Sequence, residues 1–197
     1  MNKWEKMVKA VDAARKIKVA LFDVDGVLFP AEVTVGTPTI QKSRAYYDGQ
    51  GVSWLRAMGI HVAFITNEKD AHAAPVLEVT KKWNALPSNR SLSNKLGWSR
   101  VIAYTGSGGK EKITAAEHFL AQHGCNFKRA SFMGDDIVDL PIMRKVVFPA
   151  APAQAEECVI DLALLVTPRS GGRGAIRDFA EFVAAAQGYD LEKLPFS

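Results

Sequence analysis

Two carboxylates two positions apart, Asp23 and Asp25, close an apolar run from Val19 to Phe22 and are followed by Gly26. In an extended chain, residues two apart point to the same side, so both acids can face one site. Ligands of open α/β sheets bind beyond the carboxyl ends of the strands, which is where this pair would sit. Asp and Gly also serve merely to end strands and turn chains, so the short motif needs support from elsewhere. Support comes from Asp135, Asp136 and Asp139, behind Gly134 and the apolar run Ala130–Met133. Their competing role is helix N-capping ahead of Ile137. A third apolar run, Ile60–Ile65, ends in Thr66 and Asn67. Carboxylates gathered from these exits would raise one another's pKa. A divalent, oxygen-seeking cation resolves that conflict, and Mg²⁺ is the usual choice where few carboxylates and a substrate phosphate share a site.

The elements that must position these residues alternate. Trp4, Met7, Val8 and Val11 recur at helical spacing and predict an amphipathic helix over 3–15, within an N-terminal segment 1–16. A strand over 17–23 follows. Residues 27–47 read as a β-hairpin flap with its turn near Gly36 and Thr37. A helix over 51–58 closed by Gly59, a strand over 60–65 and a helix over 70–83 come next, with Pro75 near that helix's first turn. Residues 84–100 are rich in Asn, Ser, Gly and Pro and read as a loop. Strands are expected at 101–104, 130–133, 146–148 and 162–166. Helices are expected at 112–122, 141–144, 153–158 and 175–187, and 189–197 as a tail. The pattern predicts an α/β fold, a Rossmann-like parallel sheet with helices on both faces.

The glycine-rich stretch Gly106–Lys110 is not a P-loop: that pattern needs glycine at Tyr104 and serine or threonine at Glu111. A receiver domain fits poorly, because the acid pair here sits on the first strand with a second cluster far downstream. The net charge of +4 comes from 25 basic and 21 acidic residues scattered along the chain, which argues against a nucleic-acid partner and leaves room for a local anion site. Cys125 and Cys158 are too few for a disulfide framework or a zinc site. No apolar run is long enough to cross a membrane, and the reading is a cytoplasmic protein.

Asp23-Val24-Asp25-Gly26, Thr66, a lysine at a helix start, and Gly134-Asp135-Asp136-Ile137-Val138-Asp139 together resemble the four motifs of the haloacid dehalogenase superfamily. The resemblance spans roughly 17–188. About forty residues separate the acid pair from Thr66, too few for a large inserted cap. Asp48-Gly49 and Gly171-Gly172-Arg173-Gly174 resemble the capless 3-deoxy-D-manno-octulosonate (KDO) 8-phosphate phosphatase family. That resemblance implies a Mg²⁺-dependent phosphomonoesterase, homotetrameric, acting on a small phosphorylated sugar acid. It implies Asp23 as nucleophile and Asp25 as general acid and base. Metal would be held by Asp23, the Asp25 carbonyl and Asp135, with Asp136 outside them. Thr66 and Lys112 would hold the phosphoryl group, with Asp139 orienting the lysine. Lys110 competes with Lys112 for that role, and the position before the helix's apolar Ile113 favours Lys112. Asn67, Tyr47 and Arg173 are the candidates for the sugar acid. The chain departs from the family at Asn67-Glu68, where Gly-Arg is common, and at Tyr47, where arginine is common. Alternatives are a phosphatase for a nonulosonate 9-phosphate or another small sugar phosphate, and an inactive homologue serving as an oligomerisation module.

Overall fold

The computed structural model describes residues 2–36, 40–89 and 97–194. After helix α1 (Lys3–Ala14) come strand β1 (Val19–Phe22), a hairpin of β2 (Thr34–Val35) and β3 (Ile40–Gln41), α2 (Tyr46–Ala57), β4 (His61–Ile65), α3 (Asp70–Asn84) and β5 (Ile102–Tyr104). Then follow α4 (Lys110–Gln122), β6 (Ala130–Met133), α5 (Leu140–Met143), β7 (Phe148–Ala151), α6 (Glu157–Leu162), β8 (Leu165–Val166) and α7 (Ala175–Gln187). Six strands form a parallel sheet in the order β5-β4-β1-β6-β7-β8.

Alternation along β1 splits the core into two layers. Ala20 and Phe22 pack with Phe64, Trp54 and Phe179 under α1, α2, α3 and α7. Val19 and Leu21 pack with Ile65, Phe119 and Phe132 under α4, α5 and α6. Both faces of the sheet are covered, which explains why β1 at its centre is apolar throughout. The register sets the exits level: Phe22 lies beside Phe64 on one side and Met133 on the other. Asp23 continues the ladder, its N–H donating to Met133 O at 2.9 Å, and Thr66 N–H donates to Tyr104 O at 2.9 Å. No large cap is inserted among the described residues.

Several boundaries differ from expectation. α2 starts at Tyr46, not 51, because Asp48 and Gly49 are absorbed into its first turn. Pro75 is the sixth residue of α3, beyond the first turn. β7 begins at Phe148 and runs through Pro149. Proline is tolerated there because its carbonyl accepts from Leu164 N–H, so its missing donor falls on the side of the short last strand. Residues 153–156 form a turn, and the helix expected there begins at Glu157 and takes Leu162 from the last strand, which is only Leu165–Val166. The hairpin is present but short, and the residues after Gly36 at its turn lie outside the described ones. Much of the 84–100 loop also lies outside them. Its described ends are pinned by Asn84, whose amide meets Val101 N–H and C=O at 2.9 and 2.7 Å.

Candidate active site

The exits of β1, β4 and β6 and the start of α4 enclose a cavity of about 430 Å³ lined by Asp23, Asp25, Thr66, Asn67, Lys112, Asp135 and Asp136. Seven residues singled out from separate parts of the sequence therefore meet. Lys112 is buried and its ammonium bridges Asp23 Oδ1 at 2.9 Å and Asp139 Oδ1 at 2.6 Å. Lys110 lies exposed at the start of the same helix. Asp139 sits beneath the cavity wall, fully buried. Its Oδ2 accepts from Asp135 N–H at 3.1 Å, which folds the Gly134–Asp139 turn. Asp136 caps that turn through Ile137 N–H at 2.6 Å. The N-capping role is thus real, and it coexists with a place on the cavity wall. Thr66 Oγ1 accepts from Glu68 N–H at 3.0 Å, leaving its hydroxyl hydrogen to donate elsewhere.

Electrostatics follow from burial. Burial, with Asp139 nearby, raises the Asp23 carboxyl well above the usual range, and Lys112 only partly opposes it. Burial pulls the Lys112 ammonium down, but Asp23 and Asp139 together outweigh it and the net shift is upward. Burial and the charges of Asp139 and Asp136 push Asp135 up to about 7. Carboxylate oxygens of Asp23, Asp135 and Asp139 lie within 4.8 Å of one another. When all three are ionised, one ammonium leaves two negative charges uncompensated, the complement of one divalent cation. Asp135 Oδ1 is buried without a hydrogen-bond partner, and an all-oxygen donor set suits Mg²⁺. The residues present fit that ion. Asp139, with both oxygens already engaged, is the least suited of the three to hold it.

Tyr47 and Arg173 do not line this cavity. Tyr47 is exposed, with the Arg169 guanidinium 5.7 Å from its ring. Arg173 lines a neighbouring cavity of about 320 Å³ together with Lys42 and Glu32. Sequence reasoning missed three participants, Glu111, Gln154 and Lys42, and noted Glu68 only as a departure from the family. Glu68 and Glu111 add two carboxylates to the cavity wall, and for Glu111 adjacency to Lys112 was the available signal. Gln154 ties the β1 exit to a distant loop, donating to Gly26 O and accepting from Gly171 N–H, both at 2.8 Å. Gly171 is required there, since a Cβ would stand 1.8 Å from Gly26 O. Lys42 contacts Asp25 from the hairpin, a pairing with no sequence signature.

No protein-family model matches the chain. It is 30% identical over 176 residues to the 3-deoxy-D-manno-octulosonate 8-phosphate phosphatase KdsC of Escherichia coli K12, covering 89% of this chain and 83% of that protein. The chain belongs to the KdsC-like haloacid dehalogenase phosphatases. As a member, it is a phosphoric monoester hydrolase. Solved structures agree in fold. A 3-deoxy-D-manno-octulosonate 8-phosphate phosphatase from Yersinia pestis matches with a TM-score of 0.76 at 28% identity, over 94% of this chain and 89% of that one. The enzyme of the same name from Moraxella catarrhalis, in complex with a magnesium ion, a phosphate ion and a KDO molecule, matches with a TM-score of 0.77 at 25% identity. That match covers 92% of this phosphatase and 94% of the Moraxella chain.

Proposed function

We infer that the protein hydrolyses a phosphorylated 2-keto-3-deoxy sugar acid such as KDO 8-phosphate through an aspartyl-phosphate. The observation that carries the chemistry is the buried Lys112 ammonium between Asp23 and Asp139, beside the unpartnered Asp135 Oδ1. The substrate follows from the relatives, whose names carry it. Asp23 attacks phosphorus, and the sugar oxygen leaves with a proton from Asp25. A water then attacks the acyl phosphate and gives its proton to Asp25, releasing phosphate and restoring Asp23. Lys112 and the Thr66 hydroxyl hold the phosphoryl oxygens, and Asp139 keeps Lys112 in place. Asp23, the Asp25 carbonyl and Asp135 would hold Mg²⁺, with Asp136 outside them, and the ion would supply positive charge to offset the acids and the phosphoryl group. Asn67 touches the substrate at the cavity wall. Tyr47 and Arg173 stand further out, and the Arg173 guanidinium suits a carboxylate.

The protein acts as a homotetramer, with the hairpin's unpaired edge meeting neighbouring copies. Light scattering tests the assembly. The activity is tested by phosphate release from a panel of sugar-acid phosphates with Mg²⁺. KDO 8-phosphate is expected among the best substrates, and turnover of aryl phosphate alone would overturn the substrate assignment.

A further inference from the structure

Lys42 directly follows β3, and its ammonium lies 2.5 Å from Asp25 Oδ1. Only 3% of the Lys42 side chain reaches solvent, against 34% of Asp25. Exposed ion pairs contribute little because water competes for both partners. Here the ammonium is already withdrawn from water, 5.8 Å from the centre of the Phe29 ring. Parting it from the carboxylate would leave a buried, uncompensated charge.

The backbone around Asp25 is fixed independently. Leu28 and Phe29 N–H donate to Val24 O at 2.9 and 3.0 Å, and Gln154 holds Gly26 O. These bonds place the Asp25 Cα but select no rotamer for its carboxylate. Lys42 does select one: with Oδ1 held, Oδ2 is left for the cavity that Asp25 lines. The hairpin pairs Thr34 with Gln41 and Val35 with Ile40, and a slip of one residue would turn Lys42 to the opposite face.

We propose that Lys42 is a positioning residue, fixing the Asp25 carboxylate for proton transfer and making that step depend on the seating of the hairpin. The inference rests on the reading of Asp25 as the proton-transfer group. As the bond from Asp23 to phosphorus forms and the bond from phosphorus to the sugar oxygen breaks, the proton on Asp25 passes to that oxygen. The electron pair of the broken bond stays with the oxygen, and the new carboxylate charge on Asp25 lies against Lys42.

The test compares kcat/KM, which reports steps up to departure of the leaving group, for KDO 8-phosphate and p-nitrophenyl phosphate. The aryl group departs without a proton; the alkoxide does not. Lys42→Met should lower kcat/KM about tenfold or more on the sugar ester and within about threefold on the aryl ester, with Lys42→Arg restoring most of the loss. Equal losses on both esters, or no loss on either, overturn the proposal. If Lys42→Met does not fold, Lys42→Gln carries the same comparison. Asp25→Asn separates the two readings: if it fails to discriminate between the esters, the role of Asp25 is wrong and the proposal falls with it. If Asp25→Asn discriminates and the Lys42 variants do not, only Lys42 is misassigned. Should KDO 8-phosphate not be turned over, ribose 5-phosphate serves as the alkyl ester, so failure of the substrate assignment does not decide the question.

Discussion

Asp23 and Lys112 show how little freedom the buried side chains have. Asp23 is 7% exposed and Lys112 2%, so the pair is a desolvated unit, and each partner's loss strands the other. Asp23→Asn keeps the shape and removes the carboxylate proposed as the nucleophile. Phosphate release should fall by three orders of magnitude or more, as for other residues that form the covalent intermediate, on the order of 10³ or beyond, while far-UV circular dichroism stays unchanged. Turnover within tenfold of wild type would refute the assignment. Lys112→Ala leaves Asp23 and Asp139 facing each other without a cation, which costs about 3–5 kcal/mol when a buried pair is broken. A large drop in melting temperature should accompany the loss of rate. Lys110→Ala, at an exposed position, should change neither by much, and a larger loss from Lys110 would reverse the choice. The carboxylates were legible because each ends an apolar run. Lys42 was not, since its contact exists only once β2 and β3 pair in one register.

At the scale of elements, α2 and α7 are joined by a carboxylate. α7 starts at Ala175, and its N-cap residue, Gly174, provides no side-chain cap. Asp48, in the first turn of α2, supplies one from outside: Gly174 and Ile176 N–H each donate to it at 3.0 Å. Reading Asp48-Gly49 as a motif placed these residues correctly in importance but outside α2, because a helix start without a capping side chain at Ala45 has no sequence signature. β7 was displaced for a related reason. Pro149 looks like a terminator locally, and only its position beside a short strand makes it acceptable. Burial raises the Asp48 carboxyl to about 6, against the backbone N–H groups of Ile176, Gly174 and Arg177 that favour its charge. An acid whose folded pKa exceeds its unfolded one, about 3.9, holds its proton more tightly when folded. Its contribution to stability is full below about pH 4 and is lost as pH rises through about 6. Asp48→Asn removes this titration. Relative to the variant, the wild type should lose roughly 1–3 kcal/mol between pH 4 and pH 7. Urea midpoints at several pH values check this, and a difference that stays flat across the range contradicts it.

The whole molecule brings residues 23, 66, 112 and 135 to one place through a parallel sheet, so the acid cluster exists only in the folded chain. The alternation of elements made this architecture readable. What was not readable was how tightly the sheet levels its exits, because register depends on pairing across more than a hundred residues. The cluster itself opposes folding: Asp135 is pushed up to about 7 by burial, Asp139 and Asp136, and its Oδ1 is buried without a hydrogen-bond partner. A cation that binds these acids has no comparable site in the unfolded chain and must stabilise the fold by mass action. At one hundred times its dissociation constant, Mg²⁺ should add about 2.7 kcal/mol. For a chain of 197 residues that corresponds to a rise in Tm of roughly 5–10 °C over EDTA-treated protein. Asp135→Asn relieves the repulsion without metal, so its EDTA-treated form should melt no lower than the wild type, and Mg²⁺ should add little to it. Calorimetry on both proteins with and without Mg²⁺ separates the cases. A rise of equal size in both would place the ion elsewhere, and no rise in the wild type would mean that the cluster is balanced without it.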